Sequence, residues 1–158
     1  MVNFVDTSVL LNLLKVPLMS DQYNEVKQEY DRCFSNGDSF VFPMATLVET
    51  GNHIAHITDG NQRRTIANRF ADLVEQAGQL KNNMSVIPAL TSAELTAVLQ
   101  AFRNCAVQEV GFGDASIIEQ YNTYWREKQP IGEIRIWSTD THLCGYHQTG
   151  GLARRKTR

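Results

Sequence analysis

Four short runs dominated by β-branched and aromatic residues limit what this chain can become. They are Val2-Asn3-Phe4-Val5, Ser39-Phe40-Val41-Phe42, Ser85-Val86-Ile87-Pro88 and Ile134-Arg135-Ile136-Trp137. Each is separated from the next by long stretches with helical periodicity, and strands that alternate with helices pack as a parallel sheet covered on both faces. The expected fold is therefore α/β: a three-layer arrangement with a central parallel sheet of four to five strands flanked by helices. The 158 residues suit one domain with a proper core.

The intervening segments carry their own punctuation. Apolar residues from Val9 to Leu14 predict a helix leaving the first strand, stopped by Lys15-Val16-Pro17. Tyr23, Val26, Tyr30 and Cys33 recur at spacings of three and four, predicting a helix over 20–34. A third helix is expected from Thr46, with Asp59-Gly60-Asn61 as an interruption before another over 62–77. Thr91-Ser92, with Glu94 as capping-box partner, opens a helix that runs to about residue 104. Gly111-Phe112-Gly113 reads as a tight turn before a helix starting at Asp114, and Pro130-Ile131-Gly132 as a break before the fourth strand. After Asp140 the pattern is weak, and only 143–146 or 152–153 offer a fifth strand. The expected division is a domain over 1–148 and a flexible basic tail over 149–158.

Acids recur where these elements meet. The first strand delivers Asp6, the second leads into a helix whose first turn carries Glu49, a glycine turn precedes Asp114, and the fourth strand leads to Asp140. In open α/β sheets, ligands bind beyond the carboxyl ends of the strands, where the following helices begin. Each acid also has a plainer role open to it. Asp6 and Asp114 can cap helices, Thr46-Leu47-Val48-Glu49 has the form of a capping box, and Asp140 can be a cap or turn residue. Taken together, four acids at helix starts describe a carboxylate cluster. Such a cluster is costly unless a cation neutralises it. Mg²⁺ or Mn²⁺ suits all-oxygen donors, and a cation held there supports water attack on a phosphodiester.

With these residues in view, the chain resembles the PIN-domain nucleases. Phe4-Val5-Asp6-Thr7-Ser8-Val9-Leu10 looks like that family's first motif and Thr46-Leu47-Val48-Glu49 like its second. Gly113-Asp114-Ala115-Ser116-Ile117-Ile118 is similar to the third, and Ile136-Trp137-Ser138-Thr139-Asp140 to the fourth. The resemblance spans about residues 1–145. It implies metal-dependent cleavage of RNA, with Asp6, Glu49, Asp114 and Asp140 as the acidic set around Mg²⁺ or Mn²⁺ and Ser138 as a supporting hydroxyl. Many small bacterial members, similar to the VapC group, are toxins of type II toxin–antitoxin pairs. That implies a homodimer, and an antitoxin protein whose peptide occupies the active-site groove. The alternatives are a PIN-like nuclease in another RNA-processing or defence role, or a catalytically silent PIN-like interaction module.

Other classes fit less well. Haloacid-dehalogenase-like phosphatases usually carry a second aspartate two residues after the first, where this chain has Ser8. No glycine-rich phosphate loop follows the first strand, which counts against a nucleotide-binding regulator. The net charge of −2 announces no global nucleic-acid-binding field, so RNA contacts must be local. Arg63, Arg64 and Arg69, with the basic C-terminus, are candidates, against a plain solvated helix face. Cys33, Cys105 and Cys144 are an odd, scattered set that suggests reduced thiols. There is no signal-peptide pattern and no apolar run near the ~18 residues of a membrane span, so a cytoplasmic location is expected. His53 and His56 have no third ligand nearby and are expected to be surface or packing residues; the spacing of His142, Cys144 and His147 fits no common zinc pattern, and His142 is open to approach the acidic site or substrate instead. Tyr121, Tyr124 and Trp125 are expected mainly in the core or an interface.

Overall fold

In the computed structural model, which describes residues 1–129 and 132–150, the apolar runs form a five-stranded sheet. The strands are β1 (Val2–Val5), β2 (Ser39–Pro43), β3 (Met84–Ile87), β4 (Gly132–Trp137) and β5 (His147–Gly150), in the spatial order β3-β2-β1-β4-β5. The first four are parallel and β5 is antiparallel to β4. Paired helices link the parallel strands: α1 (Thr7–Leu14) and α2 (Tyr23–Ser35), α3 (Met44–Ala55) and α4 (Gly60–Gly78), α5 (Ser92–Cys105) and α6 (Phe112–Lys128).

Strand alternation sorts the core into two sides. Phe4 lies in register with Val41 on one neighbour and Ile136 on the other. These residues and Ile134 pack with Ile117 and Tyr121 of α6 and with Leu143. Val5, Phe40, Phe42 and Trp137 belong to the opposite side, against Val9, Leu10 and Leu14 of α1, Val26 and Cys33 of α2, and Ile66 of α4. Phe4 makes edge-to-face contacts with Tyr121 and Tyr124, with centroids 5.7 and 5.3 Å apart. Tyr121 is fully buried and its hydroxyl donates to Ile134 O at 3.4 Å, so it is a core residue.

The expected parallel sheet and flanking helices are present, with several corrections at element ends. Helix α3 begins at Met44, with Pro43 at the N-cap position, so Thr46 already lies inside the helix. The Thr46 hydroxyl donates instead to Val5 O at 2.9 Å, tying the end of β1 to α3. This rules out the capping box expected over 46–49. Helix α6 begins at Phe112 with Gly111 as N-cap, so Asp114 sits in the first turn and is not the cap. The fifth strand is neither of the two stretches expected. Residues 143–146 form turns and a connecting residue, and His147–Gly150 pairs with β4. Thr149 and Gly150 are therefore strand residues, while positions 151–158 of the expected tail lie outside the described residues, as do Pro130 and Ile131. Gly132 opens β4 at φ +99, a backbone conformation that only glycine adopts without strain.

The strand order decides where a site can form. The chain runs outward from β1 to β2 to β3, then returns to place β4 on the other side of β1. The topological switch point, where the crevice at a sheet's carboxyl edge opens, therefore lies between β1 and β4. No helix among the described residues is long and apolar enough to cross a membrane.

Candidate active site

Asp6 leaves the end of β1 at this switch point. Its backbone N–H donates to Trp137 O at 3.0 Å, continuing the β1–β4 pairing past the strand. Its side chain is almost enclosed, with 4% of its surface exposed. Oδ2 accepts three hydrogen bonds: from Ser8 Oγ at 2.7 Å, Ser138 Oγ at 2.8 Å and Ser8 N at 3.2 Å. The last is an N-cap bond, so Asp6 does cap α1 as the plainer reading supposed. That role occupies only one carboxylate oxygen. Oδ1 has no protein partner among the described residues.

The two serines form a closed set. Ser138 Oγ accepts Asp140 N–H at 2.9 Å, and Ser8 Oγ accepts Thr139 N–H at 3.0 Å. Each hydroxyl has one hydrogen, and both are given to Asp6 Oδ2. The 3.3 Å Ser8–Ser138 oxygen contact is therefore proximity, not a further donated bond. Ser8 thus does as much for Asp6 as Ser138 does. Ser8 is not among the expected site residues, although its position two residues after Asp6 is the signal for this role.

Glu49 comes from the second turn of α3, not the first turn expected, because Pro43 starts the helix at Met44. Residues 44, 45, 48, 49 and 52 fall on one side of that helix, while Thr46, Leu47, Thr50 and Ile54 are buried on the other. Glu49 Oε2 accepts Thr7 Oγ1 at 2.8 Å, which aims a half-exposed side chain toward the end of β1. The Cβ position on Gly113 would lie 3.7 Å from Glu49 Oε2, so the first turn of α6 meets this carboxylate. His53 Nε2 stands 4.0 Å from Glu49 Oε1.

Asp114 is half-buried in the first turn of α6, and its Oδ2 accepts Gly111 N–H at 3.3 Å. Its carboxyl is held above the ordinary aspartate value. Burial is the largest cause, followed by the negative charge of Asp6 and smaller contributions from Glu49 and Asp140, partly opposed by the Gly111 hydrogen bond. Asp6, Glu49 and Asp140 thus each lie within electrostatic range of Asp114. Asp140 is the outermost. It is exposed, its Oδ1 accepts His142 N–H at 2.8 Å, and its carbonyl accepts Leu143 and Cys144 N–H, so it is also the turn residue that the plainer reading allowed.

The donor set is hard oxygen throughout, and Asp6 Oδ1 has no partner among the described residues, which suits Mg²⁺ or Mn²⁺. Among the described residues no three carboxylate, imidazole or thiol groups converge into a close cage. The fit is therefore to a cation that keeps several waters and takes few carboxylates directly, as Mg²⁺ commonly does.

A groove of about 640 Å³ runs away from the acids. Met44, Ala45, Val48, Pro88, Leu90 and Phe112 supply its apolar walls, and Glu49 and Asp114 form the end shared with the acid set. The other sequence candidates lie elsewhere. Arg63 donates to Ile57 O at 2.8 Å, at the carboxyl end of α3, and none of Arg63, Arg64 and Arg69 lines the groove. His53 and His56 border a separate hollow beside Pro17 and Leu18. His147 stands 3.9 Å from Glu133, and Cys144 Sγ donates to Thr141 O at 3.5 Å.

No family model matches the chain, and no curated protein matches it.

Proposed function

We propose that this chain is a metal-dependent endoribonuclease of the PIN-domain kind, hydrolysing RNA phosphodiester bonds as the toxin of a type II toxin–antitoxin pair. One observation carries the nuclease part. Asp6, Glu49, Asp114 and Asp140 come from four separate stretches of chain to one end of the sheet, and the three hydrogen bonds to Asp6 Oδ2 leave Oδ1 without a partner among the described residues. The toxin role, the antitoxin partner and the homodimer rest on the sequence resemblance to the VapC group, and the cytoplasmic location on the lack of a signal-peptide pattern and of a membrane-length apolar run in the sequence.

In this reading Asp6, Glu49, Asp114 and Asp140 would hold Mg²⁺ or Mn²⁺, which when bound supplies charge stabilisation at the phosphate and a more acidic water. The chain's own residues do the positioning. Ser8 and Ser138 fix the Asp6 carboxylate from one side. Thr7 holds Glu49 toward the same centre. Gly111 N–H orients Asp114. In the overall hydrolysis a water oxygen bonds to phosphorus, the bond from phosphorus to the leaving ribose oxygen breaks, and that oxygen ends protonated.

The second reading is a silent PIN-like interaction module, favoured by the absence of a close three-donor cage among the described residues. Purified protein incubated with a broad RNA panel, with and without Mg²⁺ or Mn²⁺, separates the two. The proposal expects metal-dependent cleavage that Asp6→Asn and Asp114→Asn abolish. Equal, metal-independent background in all three proteins would leave the silent module. Growth arrest on induction of wild type but not of Asp6→Asn would support the toxin role.

A further inference from the structure

The groove beside Glu49 and Asp114 is not used by the chemistry just described. We infer that it is a subsite for an unpaired nucleobase of the RNA strand, next to the phosphate being cleaved. The inference rests on the nuclease reading and extends it to how the strand is held.

Three features favour a base over other occupants. First, the groove shares Glu49 and Asp114 with the acid set, so a strand whose phosphate sits at the acids has its neighbouring nucleotide here. Its volume, about 640 Å³, has ample room for one nucleotide. Second, large apolar side chains on the rim are left in water. Val48 is 55% exposed and Phe112 41% exposed, although both lie on helices with well-buried opposite sides. Phe112 is held edge-to-face against Phe102, with centroids 5.5 Å apart and planes at 87°. A fixed, half-exposed aromatic ring is what base stacking uses, and every base has a face to stack. Third, the groove also contains two amides. Gln120, only 3% exposed, donates one N–H to Ala89 O at 3.4 Å, and Asn52 stands on the exposed turn beyond Glu49. A carboxamide presents a donor and an acceptor in one plane, matching the edge of a base. An apolar peptide side chain would leave the exposed Asn52 amide unused.

A paired base cannot enter, because its faces are stacked and its edge is occupied. The site therefore selects single-stranded segments, the usual target of base-specific RNA recognition.

The test measures binding of a short fluorescein-labelled RNA to the full chain by anisotropy, with Ca²⁺ replacing Mg²⁺. It is compared with an all-abasic ribose–phosphate chain of equal length, with the RNA annealed to its complement, and with a peptide of mixed apolar and basic residues. Proteins are wild type, Phe112→Ala and Phe112→Trp, with cleavage in Mn²⁺ followed in parallel. Wild type should bind the single strand at least about 5-fold tighter than the abasic chain or the duplex, as one stacked base provides. Phe112→Ala should lose about 5-fold or more on RNA but less than about 2-fold on the abasic chain, since the effects of ring and base are coupled. Phe112→Trp should retain the affinity. The abasic comparison needs no variant, so it stands even if Phe112→Ala folds poorly. Equal affinity of wild type for RNA and abasic chain, with metal-dependent cleavage intact, overturns this inference and spares the nuclease reading. So does tight peptide binding that depends on Phe112 while RNA binding does not. Absence of both RNA binding and metal-dependent cleavage overturns the two together.

Discussion

Ser8 and Ser138 approach the same oxygen of a nearly buried carboxylate, and this makes a quantitative prediction. In Ser8→Ala, Asp6 Oδ2 loses its shortest bond, 2.7 Å, but keeps Ser138 Oγ at 2.8 Å and the Ser8 backbone N–H at 3.2 Å. A hydrogen bond to a charged group contributes about 1.5–3 kcal/mol. With two donors remaining, each single alanine should cost about 1–2 kcal/mol. In the double variant only the long backbone bond remains. A carboxylate with 4% of its surface exposed is then left nearly unpartnered, and that desolvation cost appears only in the double variant. The double loss should exceed the sum of the singles by about 1 kcal/mol, within the range known for residues in one network. The assay is urea unfolding of wild type, both singles and the double at pH 7 in EDTA, so that metal binding does not enter the cycle. Additivity within about 0.3 kcal/mol would refute the shared-oxygen argument, and so would either single variant as stable as wild type.

Three further outcomes follow from other parts of the molecule. Thr7→Val keeps the shape but removes the donor to Glu49, so it should weaken Mn²⁺ binding by about 10-fold with little loss of stability; Mn²⁺ titration followed by electron paramagnetic resonance, beside a thermal melt, checks both. Hydrogen bonds from Arg32, then from Arg135, hold the Glu29 carboxyl down at about 2 despite its partial burial. Because the folded value lies below the unfolded one, the stabilisation is fully present above about pH 4.5 and fades as pH falls toward 2. Glu29→Gln should therefore cost about 2–3 kcal/mol in urea unfolding at pH 7 and clearly less at pH 3; a pH-independent difference would refute this. Phe4→Ala removes the ring shared by Tyr121 and Tyr124 at the centre of one core side and should cost about 3–5 kcal/mol in the same assay.

The parts of the fold that could be read in advance are those specified by local chemistry. β1, β2 and β4 announce themselves by concentrated β-branched and aromatic residues. The Thr91–Glu94 capping box is present with both of its bonds. The parallel arrangement follows from strands separated by helix pairs. Local signals failed where a distant contact overrode them. Thr46 has the spacing of a cap, yet its hydroxyl reaches a carbonyl 41 residues away, because Pro43 had already started the helix. β5 has no alternating apolar pattern and exists through its ladder with β4, which a reading by periodicity cannot see.

The candidate site divides in the same way. The four acids could be picked out because each follows a strand or opens a helix, and strand order then brings those ends together. The roles of Thr7 and Ser8 stood next to Asp6 in the sequence, but their hydrogen bonds depend on Glu49 and on residues 138–139 arriving from elsewhere. The groove is assembled from α3, residues 88–90 and the start of α6, and no one of these segments announces it. Arg63 looked available for phosphate contacts because sequence does not reveal that its guanidinium is used on Ile57 O.

The central claim is that the acids at the β1–β4 switch point form one metal-dependent phosphodiesterase site. It is tested most directly by the rate of RNA cleavage against Mn²⁺ concentration, in wild type and in Asp6→Asn from matched preparations. The account predicts a rate near zero in EDTA, saturable activation by Mn²⁺ in wild type, and no activation in Asp6→Asn at any concentration where both proteins remain folded. Cleavage that persists in EDTA, or that Asp6→Asn retains in full, would contradict it.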